Sequence, residues 1–181
     1  MVQGLKVAEA VARMKEIDLQ ARELVDDWIL ITYDIPVNDA GKEARAKFLR
    51  TAPRIGAKMH SRSVYLMPNT QQAQIAAVAL AEVVGGEVYI WTSKVDEGRA
   101  KEITNFYDKS IAEEIQHIEE RIQKENELIL AEKYGLADRM HRKTANLYQQ
   151  LLFSVAQRGA SGDVVQKLTT LEAHLDGDQT K

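Results

Sequence analysis

Cysteine is absent from the 181 residues, so neither a disulfide framework nor a thiolate metal site can form, a pattern that suits a reducing, cytoplasmic setting. Proline (3) and glycine (10) are scarce, which disfavours a loop-rich fold and favours helices. No run approaches the roughly 18 uninterrupted apolar residues of a membrane-spanning helix. The N-terminal stretch MVQGLKVAEAVARMKEID carries charges every few positions, unlike the apolar centre of a signal peptide. A soluble protein without membrane contact is expected. Gly-rich phosphate loops, G-x-S-x-G elbows, CxxC and HExxH are all missing, which weakens the case for the enzyme classes they mark. The four histidines, His60, His117, His141 and His174, show no metal-ligand spacing. A net charge of −3 argues against coating nucleic acid with the whole surface, so any such binding needs a local patch. What is present is 45% hydrophobic and 28% charged residues, enough for a core in one compact domain with an appendage, or in two small units.

Leu5, Ala8, Val11, Met14, Ile17, Ala21 and Leu24 recur at three- and four-residue steps and predict an amphipathic N-terminal helix within residues 1–26. The β-branched and aromatic run Trp28–Tyr33 predicts a buried central strand, closed by Asp34-Ile35-Pro36. A helix over Gly41–Ala52 follows, with Ala44, Phe48, Leu49 and Ala52 inward, Asp39 as its N-cap and Pro53 as its stop. Gly56 turns the chain into a short strand at Ala57–His60, and a second strand covers Ser63–Met67. Asn69, with Gln72 three residues on, fits a capping box that opens an Ala-rich helix over Gln71–Val84. Gly85–Gly86 ends that helix, and Glu87–Trp91 is the last strand. The order β-α-β-β-α-β is the split βαβ pattern of ferredoxin-like folds. The expected fold is therefore α+β: a ferredoxin-like domain over 27–94, an N-terminal helix and a long α-helical C-terminal extension over 95–181.

In the extension, Ile111, Ile115, Ile118, Ile122 and Ile129 form a heptad-like seam interrupted once, at Glu125, and flanked by charged residues. This predicts one long helix with a narrow apolar stripe. Tyr134–Gly135 allows a break, after which Leu136, Met140, Leu147, Leu151 and Val155 share one face of a second helix. A turn at Arg158–Gly162 leads to a third, capped by Asp163 and bearing Val164, Leu168, Leu171 and Leu175. Two surfaces are open as partners for the isoleucine seam: the other helices of the chain, or a second copy. An exposed seam and open sheet edges both favour a homodimer, and the tail also offers a docking surface for another protein.

The strongest local signal is electrostatic. Seven basic residues from Lys42 to Arg62 face one acid, Glu43, giving +6 in a chain of net −3. Such segregation marks polyanion binding, with Lys47, Arg50, Arg54, Lys58 and Arg62 as the candidate nucleic-acid contacts. The competing reading is a solvated helix balanced by acids such as Glu97 or Glu102. Asp34 ends the first strand at the sheet rim, where a carboxylate can serve as a metal ligand or catalytic residue with Mg2+ or Mn2+; Asp before Ile-Pro is equally a turn residue. His60 lies within the basic turn, in reach of a phosphate. Tyr65, Tyr89 and Trp91 are read as sheet packing, and Arg139–Lys143 as a solvated helix turn.

The strings WILITYDIP, RIGAKMHSRSVYLMP and GGEVYIW, with the basic helix between the first two, make residues 28–92 resemble two related groups. One is the N-terminal domain of the chromate-resistance regulator ChrB, and the other is a small ferredoxin-fold, CRISPR-associated family; the C-terminal domain of PaaX-type repressors is more distantly similar. Gly56–Ala57, Ser63–Pro68 and Gly85–Gly86 are nearer to ChrB, while Tyr33–Asp34–Ile35 is nearer to the CRISPR-associated family. That second resemblance implies a metal-dependent nuclease role for Asp34 alone. Three functions remain: a dimeric nucleic-acid-associated regulatory or structural module, a divalent-metal nuclease, and a protein scaffold.

Overall fold

The computed structural model describes residues 26–85, 87–159 and 162–177; the predicted N-terminal helix lies outside them. The described residues divide into two compact units on either side of a boundary between residues 108 and 109. No helix among the described residues is long and apolar enough to cross a membrane.

The first unit is built on four antiparallel strands: β1 (Asp27–Tyr33), β2 (Lys58–Ser61), β3 (Val64–Pro68) and β4 (Val88–Lys94). Their spatial order is β2-β3-β1-β4. Helix α1 (Asp39–Thr51) joins β1 to β2, and α2 (Gln71–Val84) joins β3 to β4. β1 and β2 each run antiparallel to β3, and β3 and β4 each run antiparallel to β1. Strands alternate their side chains between two faces. Ile29, Ile31, Tyr33, Tyr65 and Met67 therefore share one face, where they form a core with Phe48 and Ala52 of α1 and Ala73, Ala77 and Leu80 of α2. Phe48 stands edge-on to Tyr65, with ring centroids 5.2 Å apart, and lies 4.3 Å from Tyr33. On the other face Trp28 and Leu66 are buried, and Trp28 meets the ring of Tyr107 at 5.8 Å.

Local chemistry sets the ends of the elements, one residue away from expectation in two places. Asn38, not Asp39, caps α1, its side chain accepting from the Gly41 N–H at 3.2 Å. Asp39 instead sits in the first turn, where a negative charge favours the helix dipole. Thr70, not Asn69, caps α2 by accepting from the Ala73 N–H at 3.1 Å, while Asn69 accepts from the Gln74 side chain. Gly56 closes the 3-10 turn Pro53–Ile55 at φ 82°, a left-handed conformation that glycine adopts without a Cβ penalty.

Helix α3 (Glu97–Leu130) contains the division between the units; α4 (Tyr134–Arg158) and α5 (Gly162–Gly177) complete the second. Ile111, Ile115 and Ile118 are buried within the chain, and Ile122 and Ile129 are half-buried. Of the two partners open to the seam, the chain itself covers most of it. The buried face of α4 includes the expected Leu151 and Val155 and adds Ala137, Thr144, Tyr148 and Leu152; Met140 and Leu147 are half-buried and Leu136 is exposed. A search for large apolar residues overlooks Ala137 and Thr144. The Arg121 Nε donates to the Thr144 hydroxyl at 3.2 Å. The buried Glu125 carboxylate, only 1% exposed, meets His141 Nδ1 at 2.8 Å.

Candidate nucleic-acid interface

Helix α1 carries the basic segment because its apolar positions face the sheet. With Phe48 and Ala52 inward, a period of 3.6 residues sends Glu43, Ala46 and Arg50 to the far side, with Lys42 beside them. Lys42 and Arg50 are exposed, and Arg45 and Lys47 sit half-buried at the flanks. The Arg50 Nε donates to the Ala46 carbonyl at 3.1 Å, which holds its side chain along the helix. The Arg45 guanidinium lies 5.9 Å from the Tyr33 ring centre. Beyond the helix, Arg54 is exposed in the 3-10 turn. Among the described residues, Lys42, Lys47, Arg50 and Arg54 make no ion pair. The proposed counter-charge Glu102 is instead bridged to Arg99 at 2.7 Å.

Of the five predicted contacts, Lys58 is buried and Arg62 stands at the other end of β2 from Arg54. Lys58 is only 4% exposed. Its register opposite Leu66 turns it onto the face that holds Trp28, and its Nζ lies 5.8 Å from the Tyr107 ring centre. Tyr107 is itself fixed by donating its hydroxyl to the Gly56 carbonyl at 2.6 Å. The alternation of strand side chains decides this placement. Arg62 is exposed but sits at the β2–β3 hairpin, where its carbonyl accepts from the Tyr33 hydroxyl at 2.9 Å. At about 3.3 Å per strand residue it lies roughly 13 Å beyond Lys58, at the opposite end of β2 from Arg54. The patch is therefore Lys47, Arg50 and Arg54, joined by Lys42. Lys42 was counted in the basic segment but not among the predicted contacts; its exposure adds it.

His60 packs edge-on against Phe106, with centroids 5.2 Å apart. Tyr65 is buried as expected, whereas Tyr89 and Trp91 on β4 are 47% and 57% exposed, so sheet packing does not account for them. The Trp91 indole donates to the Thr32 hydroxyl at 3.3 Å. Burial holds the Tyr65 hydroxyl above its ordinary pKa, with neighbouring Tyr33 adding to the shift and Arg45 opposing it.

Asp34 is exposed at the end of β1, and its backbone N–H donates to the Glu87 carbonyl at 2.9 Å. Among the described residues no three His, Cys, Asp or Glu side chains come together to hold a metal. Clefts of about 90 and 50 Å³ occur in the helical unit, the larger lined by His141, Tyr148, Glu172 and Asp176 among others. Both are far smaller than the ~300 Å³ at which cofactor pockets begin. Compared with known proteins, the chain matches no family model and no curated sequence.

Proposed function

We propose that the chain is a nucleic-acid-associated module that grips the phosphate backbone with the basic side of α1, carried on a ferredoxin-like sheet domain. Strand order supports the fold reading. Taken from the β4 edge the order is 4-1-3-2, and each helix links two strands that flank a third, as in a split βαβ arrangement. The strings that resemble ChrB and the CRISPR-associated family fall on these same elements.

One observation carries the binding reading: four cations along α1 and its following turn, which make no ion pair among the described residues and outnumber the exposed Glu43 on the same side. Lys42 and Arg50 stand about 12 Å apart along the helix, a span over which successive phosphates of a duplex can be met. Cations placed this way gain affinity by releasing the counterions condensed on nucleic acid, and they read no bases. Binding should therefore be insensitive to sequence and sensitive to salt.

The test is titration of labelled duplex and single strands at two salt concentrations. Four neutralised phosphates predict a slope of about −3.6 in log affinity against log salt on duplex DNA. Arg50→Glu with Arg54→Glu should abolish binding without unfolding the sheet, because both side chains are exposed. Lys58→Met should leave affinity unchanged, because that side chain is buried under Tyr107. Equal binding by wild type and the double variant, or none by either at low salt, would reject this reading in favour of a scaffold. Magnesium- or manganese-dependent cleavage lost in Asp34→Asn would favour the nuclease instead.

A further inference from the structure

Helix α2 presents two unlike sides. Ala73, Ala77, Leu80 and Val84 are buried. On the opposite side Ile75, Val78 and Val83 are 65%, 50% and 53% exposed. The solvent side of an amphipathic helix ordinarily carries charge, as α1 does with Lys42, Glu43 and Arg50. In α2 the only charged residue of fourteen is Glu82. Gln71, Ile75, Val78 and Glu82, all exposed, follow steps of four, three and four and so form one ridge along the helix.

We infer that this ridge is a self-association face, and that its occupant is α2 of a second copy of the chain. The charges select that occupant. Across a two-fold axis a surface meets its own image, so a cationic face such as that of α1 repels itself, whereas the nearly neutral ridge of α2 does not. The ridge has no cation with which to hold a phosphate or an anionic lipid. It is also self-complementary when two copies run antiparallel about an axis between Ala76 and Ala77. Ile75 then faces Val78 of the second copy, and the Gln71 carboxamide faces the Glu82 carboxylate of the second copy, so the one charge meets a hydrogen-bond donor. This inference is independent of the nucleic-acid reading.

A helix of 14 residues is about 21 Å long, and one such face is small beside the ~800 Å² per partner of a standard interface. The expected dimer is weak and depends on concentration. Sedimentation velocity over a hundredfold range of concentration should show monomer passing to dimer. Ile75→Glu with Val78→Glu should hold the chain monomeric while leaving its denaturant midpoint unchanged. Because the chain has no cysteine, introduced thiols can be followed without background. Ile75→Cys mixed with Val78→Cys should form a disulfide-linked dimer faster than either variant alone. A monomer at every concentration, an association untouched by the two glutamates, or no preference for the mixed cross-link would each overturn the inference.

Discussion

At the residue scale, Gly41 shows how one side chain can be dictated by a backbone approach. A Cβ at this position would collide with the carbonyl oxygen of Pro36, because the Asn38 cap folds the first turn of α1 back on the segment leaving β1. Gly41→Ala should therefore destabilise the sheet unit by about 1–3 kcal/mol, the usual cost of overpacking. Both tryptophans, Trp28 and Trp91, lie in this unit, so their fluorescence in a denaturant titration reports it selectively; an unchanged midpoint would contradict the clash. The caps teach a related lesson. Asn38 and Asp39, like Asn69 and Thr70, are all competent N-cap residues, so sequence narrows each cap to a pair. The choice within the pair falls to the residue left in extended geometry, at φ −74°, ψ 177° for Asn38 and φ −107°, ψ 159° for Thr70.

At the element scale, the interruption of the isoleucine seam turns out to be its polar anchor. Glu125 is buried and bonded through Oε1 to His141, and its Oε2 has no hydrogen-bond partner among the described residues. A buried carboxylate that loses its partner is expensive, whereas replacing a whole buried pair by apolar residues is often neutral or stabilising. His141→Leu should thus destabilise the helical unit by about 3 kcal/mol, at the low end of that range because His141 keeps 18% exposure. Glu125→Leu with His141→Leu should recover most of the loss. Helical ellipticity during denaturation measures this cycle, and additive single effects would show that the two groups do not act as a pair. The seam was visible in the sequence as a spacing of isoleucines. The partner of Glu125 was not, because it comes from the next helix and lay within Arg139–Lys143, read as a solvated turn.

At the scale of the whole molecule, each unit holds a tyrosine whose pKa is pushed upward. Tyr65 is raised chiefly by burial in the sheet unit. Tyr148 in the helical unit is raised well above the usual range by burial, then by the nearby Glu172 and Asp176, and its hydroxyl donates to the Leu168 carbonyl at 2.9 Å. A raised folded-state pKa means the native protein holds its proton more tightly than the unfolded chain does. The associated stability is complete below the ordinary tyrosine value of roughly 10 and is lost as pH climbs from there through the folded value. Both units should weaken above about pH 10. Tyr148→Phe should flatten the alkaline slope seen by helical ellipticity, and Tyr65→Phe the slope seen by tryptophan fluorescence. Identical slopes in wild type and variants would rule out this linkage.

The order of strands and helices, the breakers between them and the concentration of positive charge around α1 were legible in the residues alone. Each follows from local chemistry: periodicity, the φ restriction of proline, the freedom of glycine and the count of charges. Tertiary structure decided which charges reach solvent together. Lys58 and Arg50 look alike as sequence, yet strand register buries one beneath Tyr107 while helical phase exposes the other, and the length of β2 carries Arg62 away from both. It also decided that Ile111, Ile115 and Ile118 are covered within the chain while Ile75 and Val78 stand in solvent. Apolar spacing reveals that a helix has a face. Only the arrangement of its neighbours determines whether that face is covered, because burial depends on what packs against a residue and not on the residue alone.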